Sequence, residues 1–140
     1  MGITKKDRGK EIFGDVQVLD DLTVGDDVTI TGDLTVSGAF TASGSLTVKR
    51  VSKTANYTTS DDTIVAVDTS GGAVTITLAT ADTVAGRVVI IKDEGGQAGT
   101  NAITIATEGS ETIDGSASTS ISTNYGVVRL YSDGTNWFTF

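Results

Sequence analysis

The sequence predicts an all-β fold: a short shaft of six-residue repeats, β-helical or interwound, followed by a β-sandwich or jelly-roll-like knob, with three chains in the assembly. Three observations predict it. Thr, Val, Ile, Gly, Ser and Asp dominate the 140 residues, with 17 glycines and only 6 % aromatics, the profile of many short strands joined by tight turns. Apolar residues recur every six positions from Val16 to Val48. After that the period is lost, and longer alternating segments follow, separated by glycine-bearing turn signals.

Residues 1–14, "MGITKKDRGKEIFG", form the first element. Lys5, Lys6, Arg8 and Lys10 stand together in a chain of net charge −8. A basic cluster of this kind is either a solvated flexible end or a docking arm for a larger partner. There is no apolar run of a secretory leader, and no stretch reaches the roughly 18 apolar residues of a membrane span. Gly2 is not a myristoylation signal, because Lys6 stands where Ser or Thr is needed. The acidic total argues against nucleic acid as a partner, since phosphate binding depends on clustered bases.

Residues 15–50 form the shaft. Val16, Leu22, Val28, Leu34, Phe40 and Leu46 fall six apart, and Val18, Val24, Ile30, Val36, Ala42 and Val48 follow two positions behind them. Gln17 or a threonine separates each pair, so both apolar residues face one side of a three-residue strand and the polar one faces the other. Each strand runs into a corner such as "GDD", "TGD" or "SGS". Such hexads belong to β-solenoids and interwound fibres. One chain closes only about two triangular coils, fewer than the three or more that normally stand alone. Three copies are therefore expected to pair their hexads about a common axis, with Val16, Val18, Leu22, Val24, Val28, Ile30, Leu34, Val36, Phe40, Leu46 and Val48 at the trimer interface. The acidic corners, Asp15 to Asp33, read as solvated residues that keep the shaft apart from its neighbours; their spacing matches no EF-hand loop.

Residues 51–140 form the knob. Strands are expected in "TIVAVDTS", "AVTITLAT", "RVVIIKDE", "AITIATE", "GVVRLYSD" and "NWFTF", with a single helical turn in "TADTVAG". Turns are expected at Ser70-Gly71-Gly72, Asp93-Glu94-Gly95-Gly96, Asp114-Gly115 and Asp133-Gly134. The expected core is Val65, Val67, Val74, Ile76, Leu78, Val88, Ile90, Ile103, Ile105, Val128 and Leu130. Trp137, Phe138 and Phe140 read as a buried closing strand. A second reading makes Tyr131, Asp133, Asn136 and Trp137 a glycan-binding face.

The segment "DTIVAVDTSGGAVTITLATADTVAGRVVIIKDEGGQAGTNAITIATEGSETIDG", followed by "LYSDGTNW", resembles a β-rich module found near the C-termini of bacteriophage tail fibres, head fibres and related virion proteins. The marks are Leu78 closing "TITL", Gly86-Arg87, Lys92-Asp93 before glycines, Ile113-Asp114-Gly115, and Ser132-Asp133-Gly134 before Trp137. They keep their order over residues 55–140. Where the family often has proline after the leucine, this chain has Ala79. The resemblance implies a structural virion protein that trimerises behind a repetitive shaft.

With no Cys and no His, the chain has no thiolate nucleophile, no Ser-His-Asp triad, no imidazole base and no typical zinc site. That removes the histidine base of the hexapeptide-repeat acyltransferases. Carboxylate pairs such as Glu108 with Glu111, or Asp61 with Asp62, read as solvated turn residues rather than glycosidase pairs. No enzyme activity, metal or cofactor is expected. The expected function is a capsid decoration (head fibre or cement) protein on the virion surface, its partners itself and a major capsid protein or another virion protein. Ile3, Lys5, Lys6, Arg8, Lys10, Ile12 and Phe13 are the expected capsid-attachment residues. The 140-residue length, short for a fibre that must reach a host, favours the head. The alternative is a short tail fibre or receptor-binding tip that holds a host surface glycan. Membrane insertion and nucleic acid are not expected.

Overall fold

The computed structural model describes residues 22–140. The expected attachment residues Ile3 to Phe13, and Val16 and Val18 of the shaft, lie outside the described residues. The chain divides into two units, Met1–Thr41 and Ala42–Phe140.

Residues 22–49 contain no strand ladder among the described residues. The backbone bends at 25–26, 31–32, 37–38 and 43–44, one bend per hexad at constant spacing. Gly25, Gly32, Gly38 and Gly44 supply one residue of each bend. A single-chain β-helix would pair residues three hexads apart, such as Leu22 with Phe40 and Val28 with Leu46. No such pairing joins them within one chain.

From Arg50 onward the chain forms nine strands: β1 (Arg50–Lys53), β2 (Tyr57–Thr58), β3 (Ile64–Val67), β4 (Val74–Leu78), β5 (Val88–Asp93), β6 (Ile103–Thr107), β7 (Ser118–Ile121), β8 (Val127–Ser132) and β9 (Trp137–Thr139). A 3-10 turn at Thr80–Asp82 occupies the segment expected to hold one helical turn. Strands β1 to β6 alternate between two sheets, of order β1-β3-β5-β8-β9 and β2-β4-β6-β7, after which β7 stays in the second sheet and β8 and β9 lie in the first. The neighbours β1, β3 and β5 run parallel, as do β2, β4 and β6. Antiparallel β7, β8 and β9 close the ends of the two sheets. The knob is thus two sheets around one core, wound three times in parallel before the antiparallel return. Greek-key connections of the jelly-roll kind do not occur in β1–β6; each parallel step instead crosses to the other sheet and back.

The core lies between the sheets. Val51, Val65, Ile91 and Val128 form one aligned row in the first sheet, and Tyr57, Ile76 and Ile105 form one in the second. Each fully buried aliphatic side chain here contributes about 1.5–3 kcal/mol. Eight of the expected core residues are buried: Val65, Val67, Val74, Ile76, Leu78, Ile103, Ile105 and Leu130. On β5 the phase is shifted by one. Val89 and Ile91 face the core, while Val88 and Ile90 lie on the outer face, half-buried. Val128 faces inward but is only partly covered. The run Val88-Val89-Ile90-Ile91 is apolar on both faces, so alternation alone does not select one.

The turns follow their residues. Asp114 and Gly115 both have positive φ (48° and 83°), and Ile113 and Ser116 exchange backbone hydrogen bonds of 2.7 and 2.9 Å across them, a type I′ turn built by Asp-Gly. Gly96 takes φ +71°, and a Cβ there would lie 2.4 Å from the Tyr125 ring, so both the conformation and the space require glycine.

Candidate self-association surface

The hexad residues make the largest exposed apolar series among the described residues. Leu22, Val28, Leu34, Phe40 and Leu46 are 61–72 % exposed, and Val24, Ile30, Val36 and Val48 are 38–47 % exposed. Exposure is nearly constant within each series and differs between them. Every hexad therefore holds its two apolar side chains in the same local geometry, the more open one first. Asp26, Asp27 and Asp33 stand at or beside the bends, with no base between Leu22 and Val48. A soluble chain rarely leaves this much contiguous apolar surface to water unless another molecule covers it. Every described member of the expected interface belongs to this exposed series.

The expected glycan quartet is not assembled. Tyr131 pairs with Phe138 and points outward, whereas Trp137 pairs with Ser132, faces the core and is fully buried. A strand alternates its faces, so Trp137 and Tyr131 lie on opposite sides of one sheet. Asn136 is half-buried; its side-chain oxygen accepts from the backbone N–H of Thr112 at 2.8 Å and the Thr112 hydroxyl at 2.9 Å. Asp133 accepts from the N–H groups of Thr135 and Asn136 at 2.8 and 2.7 Å, an Asx turn. These two side chains hold the β8–β9 turn. The buried closing strand is the reading of Trp137 that the structure bears out.

The carboxylates of the knob are taken up in the same manner. Asp93 is fully buried at the end of β5. Its Oδ1 accepts from Gly96 N–H at 2.9 Å, and its Oδ2 from Ala98 and Tyr125 N–H at 3.0 and 2.9 Å. Burial pushes its pKa up, but the N–H donors of Ala98, Tyr125, Gly96 and Gln97 outweigh that and hold it below the ordinary value of 3.8. Sequence reasoning read Lys92-Asp93 only as a turn mark; the signal for a buried hub is an Asp at an inward strand position before Gly-Gly.

Asp62 is buried beside β2. The Tyr57 hydroxyl donates to its Oδ2 at 2.6 Å, Ser60 N–H at 3.1 Å, and the Lys49 ammonium stands 3.2 Å from Oδ1. Burial raises its pKa, and the bonds from Tyr57, Ser60 and Lys49 bring it below 3.8. Its neighbour Asp61 points away to solvent. Glu108 accepts from Thr80 N–H at 3.0 Å, and Glu111 from Gly109 N–H at 3.0 Å; hydrogen bonds at its own backbone and at Thr80 lower the pKa of Glu111. A general acid at neutral pH needs a raised carboxyl pKa, and Asp62 and Glu111 are shifted the other way. Among the described residues no three His, Cys, Asp or Glu side chains group to hold a metal ion. No described helix is long and apolar enough to cross a membrane.

No protein family model matches the chain, and no curated protein matches it significantly.

Proposed function

We propose that this is a structural protein that works by self-association: a homotrimer whose hexads interwind into a short shaft, and whose C-terminal unit forms a β-sandwich-like knob. The observation that carries the reading is the regular exposure of nine hexad side chains, Leu22 to Val48, with one bend every six residues. One bend per hexad suits a three-sided cross-section in which each chain supplies one side, its apolar residues turned to the axis. A rod of this kind holds one thing away from another. Its length is set by repeat number, and it needs no turnover.

The resemblance of residues 55–140 to phage fibre modules supports a virion component, with capsid decoration as the specific role and residues 1–14 as the anchor. The fully buried Trp137 takes the main stacking residue from the glycan-binding alternative. Light scattering at micromolar concentration tests the assembly: three times 14.4 kDa is expected, and a monomer refutes it. Antibody labelling of intact particles tests the placement. Label on the head is expected, label on the tail favours a fibre tip, and unlabelled particles refute the virion role.

A further inference from the structure

The two sheets of the knob present opposite kinds of outer face. On the second sheet the outward residues are Thr58, Thr75, Thr77, Thr104, Ser118 and Ser120, with Ala106 the one apolar member. That is how a sheet face open to water reads. On the first sheet the outward positions of the same register are Ile64, Ala66, Val88, Ile90, Val127, Tyr131 and Phe138, with Ser52 beside Ala66 and Ala66 itself covered by its neighbours. Phe140 extends them: its ring lies edge-on to Tyr131 at 6.1 Å, and Phe138 stacks on Tyr131 at 5.5 Å. Val127, Tyr131 and Phe140 are exposed. Arg50, Lys92 and Arg129, three of the six bases from Leu22 onward, stand among them on the same face.

We infer that this face packs against a second copy of the same chain, so that the association reading of the hexads extends into the knob; the inference rests on that reading. Two observations select the occupant. The first is size. Five strands about 4.8 Å apart, a few residues long at about 3.3 Å each, present roughly 400 Å², near half of the ~800 Å² per partner that a specific interface buries. On its own the face falls short of a standard-size interface, and it is large enough to extend one formed elsewhere. The last hexad pair, Leu46 and Val48, runs directly into Arg50 of β1, whose side chain begins one row of the face. The second is charge. The face gathers bases in a chain with thirteen acids from Leu22 onward, so another copy presents the complementary sign at its exposed carboxylates, such as Glu108, Asp114 and Asp133. Arg50 also pairs with Glu94 of its own chain, and Lys92 with the Tyr125 carbonyl; Arg129 is exposed on the same face.

The chain has no cysteine, so one introduced thiol is a clean probe. Val127→Cys places it on the first sheet's outer face, and Thr104→Cys on the second's. Each full-length variant is weighed by light scattering and labelled with a water-soluble maleimide, and the emission of the single, buried Trp137 reports that the knob is folded. In a trimer, labelling at 127 is expected to be at least about tenfold slower than at 104, as for a site reached only by local opening. Adding Ile90→Lys to Val127→Cys should bring the rate at 127 up to that at 104. Equal rates at 127 and 104 in a trimer overturn this inference and leave the hexad reading standing. A monomeric mass overturns both.

Discussion

At the scale of single residues, the knob depends on a few buried polar groups whose partners are backbone N–H donors. Asp93 satisfies three N–H groups from two loops, so Asp93→Asn, which keeps the shape and loses the charge, should lower stability by about 3 kcal/mol, measured by urea denaturation. Its depressed pKa makes the contribution full above pH 3.8 and progressively lost as pH falls below that value through the folded pKa. Asp62 acts in the same direction. Tyr57 works at the other end of the scale. Its bond to Asp62, its burial and the nearby carboxylates push its pKa from 10.0 to about 12. Its contribution to stability is therefore full below pH 10 and lost as pH rises from 10 to about 12. Tyr57→Phe should cost about 1 kcal/mol at neutral pH and flatten the alkaline loss, read by thermal melts across pH. Much of this was legible only in part. The Asp-Gly and Gly-Gly signals located the turns, because glycine's positive φ is a local requirement. Which carboxylate would be buried was not legible, because that depends on loops brought together from positions 93 and 125.

At the scale of elements, strands whose two faces differ were legible, and the others were not. The segment "VTITL" alternates strictly, and "ITIAT" does so over its first three residues; in both, the inward aliphatic residues are the ones buried. "VVII" is apolar on both sides because one face meets the core and the other is the outer patch, so its phase is set by tertiary packing. β7 carries one inward aliphatic, Ile121, in a run of Ser and Thr; it pairs because β6 offers an edge, a reason absent from its own residues. β1 and β2 are short and follow a basic stretch that reads as a boundary. The hexads are the opposite case, since their period is in both the residues and the bends. Leu34→Asp places a charge in the middle of the apolar series and should convert the expected trimer to monomer at micromolar concentration, with the melt of the knob unchanged; sedimentation and Trp137 emission separate the two effects.

At the scale of the whole molecule, the all-β composition was legible and the direction of winding was not. Parallel neighbours in one sheet need a connection that crosses to the other sheet, and turn residues mark each corner without saying which strand comes next. The core unites both sheets through Trp137, which lies at the chain's end and is fully buried. Trp137→Ala should therefore cost about 3–5 kcal/mol and unfold the knob as one cooperative unit, with a single transition by far-UV circular dichroism and by tyrosine fluorescence. The two apolar surfaces, the hexad series and the outer face of the first sheet, make stability depend on protein concentration if copies cover both. A melting temperature that rises with concentration is the expected sign, and Leu34→Asp should remove that rise.

The pairing of β5 with β8 joins Val88 to Tyr131, and the strand that fills the middle of the first sheet gains its second neighbour only when the chain has run far past it. Closures of this length are slow to find, so the knob belongs with folders of the millisecond-to-second range. The hexads leave the ribosome first and stay open while the later strands are still being made. During that interval their aliphatic residues are a hazard, and the aspartates at the bends keep nascent chains apart by like charge. For the proposed trimer, the order of synthesis thus sets a timetable in which the repeats are exposed, with like charge at their bends, before the knob that follows them is finished.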